Sequence, residues 1–268
     1  MVKSDYCHTP NTGETGKELY TQFSKALNAT GRPMLFAICN WGLDNVEEWG
    51  PGIAQQFRIQ MDHIPFFSWA PPLPQGNGVG YGQGTRDIIN FMADLHPSKT
   101  NGPHQWMDPD FLETLFDPYS MNFIDSRTEF TFWALWSSPL LVATNVYNMT
   151  EMKRSILMNK EVLAVHEDPL WASGERIYNL TDGAQAWQRP LSNGDFAVVL
   201  YNGGQLLNIT ASIRFSDLSY DGKAYNLLSQ FKVRDLWLQE DVGTFRGEYR
   251  SPLLQPHDQQ MLRLTPIY

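Results

Sequence analysis

Cysteine is scarce in this chain of 268 residues: there are two, Cys7 and Cys39. Two thiols cannot build a disulfide scaffold or a zinc ribbon. Basic charge is short as well, with 20 Lys and Arg against 29 Asp and Glu and a net charge of -9. A surface that neutralises phosphates is normally basic, so no nucleic-acid partner is expected. No Gly-x-Gly-x-x-Gly follows a strand-like run, and neither a phosphate loop nor Gly-x-Ser-x-Gly occurs. The signatures of a dinucleotide site and of a serine nucleophile are therefore missing. The charge-free stretch Phe130 to Met149 approaches the length of a membrane span, but Ser137-Ser138-Pro139 interrupts it. A helix ending before Pro139 and a buried strand Leu140–Thr144 fit better, and no membrane span is expected. Met1-Val2-Lys3-Ser4-Asp5 has no apolar core of a signal peptide, so none is expected in this chain.

What the chain does have is apolar content, 42% hydrophobic and 13% aromatic residues. That is enough for a packed core and too much for disorder. At roughly 150 residues per domain, the length suits one large or two modest domains. Four glycosylation sequons, at Asn28, Asn148, Asn179 and Asn208, point to the secretory pathway. They conflict with the missing signal peptide unless the natural N-terminus lies upstream.

Two styles of sequence meet near residue 170. Before it, apolar runs alternate with amphipathic segments, the signature of a parallel sheet with helical crossovers. Strands are predicted at Val2–Cys7, Pro33–Cys39, Arg58–Ile64, Gln105–Asp108 and Leu140–Thr144. Helices are predicted at Gly16–Leu27, Asp44–Phe57, Arg86–Leu95, Arg127–Trp136 and Thr150–Leu163, and a long loop at Pro65–Thr85. After Trp171, Asn193-Gly194 joins Ala184–Pro190 to Phe196–Tyr201 as a hairpin. Further short strands follow near 208–215, 224–226, 232–237, 244–249 and 260–264, so an antiparallel sandwich is expected. The predicted division is 1–170 and 171–268.

Chemistry in parallel barrels gathers at the C-terminal ends of the strands. Period-2 alternation in Lys3-Ser4-Asp5-Tyr6-Cys7 puts Lys3, Asp5 and Cys7 on one face. An ammonium beside a carboxylate keeps it ionised, as a nucleophile requires, although a plain terminal salt bridge has the same pattern. Cys39-Asn40-Trp41-Gly42 offers an amide and an aromatic platform, or only a capped strand end. Arg58 and Asp62 lie among apolar neighbours with His63 adjacent, where a carboxyl can become an acid; a surface ion pair reads the same way. Asp108, Asp110 and Glu113 crowd the next strand end. Without His-x-x-x-His, Cys-x-x-Cys or a calcium-loop glycine, no metal and no other cofactor is expected. What survives is paired carboxylates on different strands, the usual equipment of glycoside hydrolysis.

These segments, with Trp106 to Glu113, Phe132 to Leu141, Glu161 to Leu170, Arg234 to Trp237 and Pro256-His257-Asp258, resemble glycoside hydrolase family 27, the α-galactosidases and α-N-acetylgalactosaminidases. The resemblance implies an α/β fold: the C-terminal part of a (β/α)8 TIM barrel, strands four to eight, followed by an antiparallel β-sandwich domain. It implies a retaining glycosidase acting on a galactoside substrate through a covalent glycosyl-enzyme. Asp5 matches the nucleophile and Asp62 the acid/base. Lys3, Arg58 and Asp110 match residues that bind the sugar, as do Asn40 and Trp41, with Asn40 standing where the family usually has Glu. Met107 and Phe111 replace the family's Asn and Met, and Cys7 matches a cysteine that pairs upstream. A homodimer and a secreted, lysosomal or vacuolar full-length form are expected. N-acetylgalactosamine specificity, a non-catalytic glycan-binding protein and an inactive fragment remain as alternatives.

Overall fold

The computed structural model describes residues 1–7, 13–68, 82–116 and 121–268. Its first half carries β1 (Val2–Asp5), α1 (Gly16–Ala29), β2 (Phe36–Cys39), α2 (Val46–Trp49), β3 (Gln56–Arg58), α3 (Thr85–Asp94), α4 (Pro97–Thr100) and β4 (Trp106–Asp108). Helices α5 (Phe123–Trp136), α6 (Glu151–Leu157) and α7 (Lys160–His166) follow. β1 to β4 form one parallel sheet in sequence order, and among the described residues β1 has a strand partner on one side only. Parallel strands covered on both faces become uniformly apolar, as in Phe36-Ala37-Ile38-Cys39, all buried.

Local chemistry sets the element ends. A capping box between Thr15 and Glu18 starts α1. Asn122 accepts from the amides of Ile124 and Asp125 to start α5. Ser137, at φ 55°, ends that helix before Pro139.

Several sequence-based expectations need correction. The helix expected over Asp44–Phe57 shrinks to the single turn α2, because Pro51 cannot donate an amide and Gly52 takes φ 83°. Phe57 then belongs to β3. The helix expected over Thr150–Leu163 is two, since Asn159 caps a fresh start by accepting from Glu161 and Val162 amides. The strand expected over Leu140–Thr144 is a single parallel bridge, Val142 to Leu112. β3 ends at Arg58, which leaves Asp62 in the loop beyond it. Most of the expected loop 65–85 lies outside the described residues.

The second half contains β5 (Glu175–Asn179), β6 (Ala184–Pro190), β7 (Phe196–Asn202), β8 (Ser212–Arg214), β9 (Ser219–Tyr220), β10 (Lys223–Ala224), β11 (Gln230–Asp235), β12 (Glu240–Arg246), β13 (Glu248–Arg250) and β14 (Gln259–Ile267). The main sheet runs β12-β11-β14-β7-β6-β5, all antiparallel, with the small pairs β13-β8 and β10-β9 beside it. Gly194 at φ 89° makes the β6–β7 turn. One face of this sheet, with Val198, Leu200, Phe231 and Leu262, encloses a core together with Ile213 and Phe215. The other face packs on the first half through α5, where the Phe132 ring lies 5.1 Å from Trp187 and 5.2 Å from Tyr201.

Polar contacts reinforce that seam. Buried Arg189 donates to the carbonyls of Ala134 at 2.8 Å and Leu135 at 3.4 Å, the open C-terminal end of α5. Arg127 pairs with Asp258 at 2.6 Å, and Thr128 donates to the carbonyl of His257 at 2.7 Å. The fold is thus the C-terminal part of a (β/α)8 barrel followed by an antiparallel β-sandwich.

Candidate active site

Arg58, the last residue of β3, is the centre of the polar cluster and is 2% exposed. One of its terminal nitrogens lies 2.7 Å from Asp62 Oδ1 and 2.5 Å from Asp110 Oδ2. Burial opposes the guanidinium charge, but Asp110, Asp108, Cys39 and Asp62 together hold its pKa above the ordinary value. Burial raises the Asp110 carboxyl against the pull of Arg58 and of the His63 amide, which donates to it at 2.8 Å.

Asp110 owes its position to a chain of bonds from β4. Gln56 donates to Asp108 Oδ2 at 2.7 Å, and Asp108 Oδ1 accepts from the Asp110 amide at 2.8 Å. Trp133 of α5 donates to the Asp110 carbonyl at 2.9 Å. These bonds hold Asp110 at φ 83°, a conformation costly for a residue with a side chain. Asp110 Oδ1 has no partner among the described residues.

Asp5, at the exposed end of β1, faces Cys39 across the parallel pair. The Cys39 thiol is pushed up to about 12, first by burial, with Arg58 and Lys3 pulling it down and a hydrogen bond to Asp5 raising it. Arg58 reaches the same sulfur at 3.7 Å. Asp5, Cys39 and Arg58 thus join the first three strand ends. Lys3 makes no ion pair with Asp5; its ammonium lies 4.9 Å from the Phe111 ring centroid.

Asp62 is also placed differently from the expectation. Its side chain is 67% exposed, so no apolar wall surrounds it, and Arg58 is its ion-pair partner. Asn40 is buried and donates through Nδ2 to the Leu43 carbonyl at 2.6 Å, while its Oδ1 has no partner among the described residues. It caps the turn after β2. Trp41, at φ 57°, lines a neighbouring cleft of about 490 Å³ with Met61, Asn90 and Phe91. Gly42 is obligatory between them and β3, because a Cβ there would come 2.1 Å from the Ile59 carbonyl oxygen. Met107 points away from the cluster into the core, and Cys7 is a free, exposed thiol.

Two groups that motif reading passed over sit behind the cluster. Glu129 of α5 is fully buried; its carboxyl accepts from the Glu113 amide at 2.6 Å and the Thr114 hydroxyl at 2.8 Å. Burial pushes its pKa up to about 8, and that of Glu113 up to about 7. The available signal was a lone acid directly before the charge-free run that starts at Phe130. His63 was visible only as a neighbour of Asp62. No three or more His, Cys, Asp or Glu among the described residues are grouped to hold a metal.

Comparison with known proteins places this arrangement. A family model described as Alpha galactosidase A matches residues 79–168, and one for the Alpha galactosidase C-terminal beta sandwich domain matches 181–264. The chain resembles the family-27 α-galactosidases. It is 32% identical over 268 residues to Alpha-galactosidase 3 of Arabidopsis thaliana, covering 99% of this chain and 55% of that protein. Against the crystal structure of α-galactosidase I from Mortierella vinacea the identity is 30% and the TM-score 0.87, over 98% of this chain and 66% of the other. An α-galactosidase from Saccharomyces cerevisiae solved with raffinose shares the fold, with a TM-score of 0.86 at 23% identity, over 99% of this chain and 72% of the other. The α-galactosidase-like chain spans 54% to 62% of the length of curated relatives it matches.

Proposed function

We propose that this chain carries the acidic machinery of a retaining glycosidase that removes terminal α-galactosyl residues from oligosaccharides or glycoconjugates. In this reading Asp5 attacks the anomeric carbon and forms a covalent glycosyl-enzyme. Asp62 protonates the leaving oxygen and then takes a proton from water. Lys3, Arg58 and Asp110 hydrogen-bond the sugar hydroxyls, with Asn40 and Trp41 bordering the site. The observation that carries the reading is the buried guanidinium of Arg58 between Asp62 and Asp110, with Asp5 beside it through Cys39. Exposure of Asp62 leaves it free to meet water or a departing alcohol.

Turnover of an aryl α-galactoside by the whole chain tests this. A 2-deoxy-2-fluoro galactosyl fluoride should leave a covalent label on Asp5, located by mass spectrometry. Asp5→Asn should abolish both turnover and labelling, because a neutral amide cannot serve as the nucleophile. Near-full activity of that variant would reject the assignment.

A second reading, glycan binding without cleavage, is favoured by one observation: both Asp5 and Asp62 stand in solvent, where neither is held in a closed site. Binding of galactose with no label on Asp5 would select it. Weaker binding of galactose than of N-acetylgalactosamine would shift the specificity to the latter sugar. A secreted or vacuolar setting is supported by the sequons, since Asn28, Asn148, Asn179 and Asn208 are all exposed.

A further inference from the structure

The residue after Asp62 is tied to more of the site than Asp62 itself. The His63 side chain is fully buried. Its Nδ1 lies 2.8 Å from the carbonyl oxygen of Phe111, just past β4. Its Nε2 lies 3.0 Å from the hydroxyl of Thr85, in the first turn of α3. The ring rests against Trp133 of α5, centroid to centroid 5.4 Å. A carbonyl can only accept, so Nδ1 bears the proton and Nε2 accepts from the Thr85 hydroxyl, which also has the Met121 sulfur as an acceptor at 3.2 Å. Burial pushes the His63 pKa down to about 4, which keeps the ring neutral at ordinary pH. Glu129 Oε1, 3.6 Å from Nδ1, and Arg58 are the charged or titratable groups that face it.

The backbone around it is clamped in the same region. The His63 amide donates to Asp110 Oδ2, the Gln83 amide to the Asp62 carbonyl at 2.7 Å, and the Ile64 amide to the Gln83 carbonyl at 3.1 Å. One ring therefore connects the loop that carries Asp62, the loop that carries Asp110, and the start of α3.

We propose that His63 is a positioning residue: its neutral imidazole fixes the loop of Asp62 against the loop of Asp110, so that both carboxylates meet Arg58 in one geometry. An apolar ring of similar shape would fill the space but leave the Phe111 carbonyl without the imidazole donor and the Thr85 hydroxyl with only the Met121 sulfur. The two loops would separate, and the His63 amide would release Asp110. The sugar-binding part of this inference rests on the glycosidase reading; the loop geometry does not.

The test uses the whole chain in three variants, His63→Phe, His63→Asn and His63→Gln. Nitrogen NMR of wild type should show a neutral His63 ring protonated at Nδ1. Carbon NMR follows the Asp110 carboxyl through its titration. In His63→Phe the Asp110 midpoint should rise, because a donor is lost, and galactose affinity measured by calorimetry should weaken about tenfold. Asn places its amide donor where Nδ1 was, so His63→Asn should recover most of both effects, and His63→Gln should not. A folded His63→Phe with an unchanged Asp110 midpoint overturns the proposal. If that variant does not fold, equal Asp110 midpoints in the Asn and Gln variants overturn it. Wild type that binds no galactose would count against the glycosidase reading, and the Asp110 titration would still decide the role of His63.

Discussion

The two halves of this chain are held by different means. The parallel half has strands of three or four residues, and among the described residues β1 is bonded on one side. Its buried polar groups are Arg58, Asp110 and His63 at or beyond strand ends, and Glu129 within α5. The antiparallel half has central strands of seven and nine residues and an apolar core of its own. Neither half is independent, because α5 and the inner face of the main sheet share the other core. The comparison teaches that the buried polar cluster lies in the half with the shorter strands, and that the second half packs against it through α5.

The seam is where the comparison breaks most severely. Phe132 is fully buried against both Trp187 and Tyr201. Phe132→Ala should cost on the order of 3–5 kcal/mol, the usual range for removing a buried aromatic ring. Urea denaturation should show the midpoint falling for probes in both halves. A loss confined to one half would mean that the shared core is not what joins them.

Arg189 gives a smaller effect. It is a buried cation from β6, bonded to the C-terminal end of α5, and burial depresses its pKa to about 10. Arg189→Met keeps much of the volume but takes the charged donor from the carbonyls of Ala134 and Leu135, which keep only the amides of Ser137 and Gly174. A loss of about 2 kcal/mol is expected, within the range for a hydrogen bond to a charged group. Amide exchange should quicken at the last turn of α5 and little at β7 and β14. Uniform quickening would assign Arg189 to global packing instead.

Exchange in the unmodified chain sharpens the same contrast. Among the described residues β1 has one bonded neighbour, whereas β7 lies between β6 and β14. Amides of Val2–Asp5 should exchange much faster than those of Phe196–Asn202. Equal, strong protection would remove the distinction between the halves.

How far the sequence showed all this depended on the kind of signal. Ala184–Pro190 and the Asn193-Gly194 turn were legible because alternation and turn chemistry act locally. Asp62, Asp110 and Arg58 were legible as site candidates through spacing that resembles a family, and the structure brings them together. Their environment was not legible: Asp62 was expected among apolar neighbours and is exposed, because β3 stops at Arg58. Glu129 and its role behind Glu113 depend on a contact across 16 positions that no local pattern encodes. The split between α6 and α7 turned on Asn159, whose capping preference competes with the apolar periodicity on either side of it.

The smallest effect expected is a pH response confined to the parallel half. Folding raises Glu129 from 4.5 to about 8 and Glu113 from 4.5 to about 7, in both cases chiefly by burial. The folded chain therefore binds protons that the unfolded chain lacks in that window, so both groups lose stability as pH rises through it. His63 acts in the opposite sense: folding lowers it from 6.5 to about 4, so its contribution increases from pH 4 to 6.5 and is then complete. Below pH 6.5 the opposing contributions partly cancel; above it only the loss remains. Stability should fall between pH 6.5 and 8 by on the order of 1–2 kcal/mol, since one proton taken up differently is worth about 1.4 kcal/mol per pH unit. Glu129→Gln retains an acceptor for the Glu113 amide and cannot ionise, so its stability should change less over the same range. Chemical denaturation at pH 6.5 and 8 checks both, and segmental exchange should place the change in β3, β4 and α5 while β7 and β14 stay constant. An equal fall in wild type and Glu129→Gln would show that Glu129 is not the group responsible.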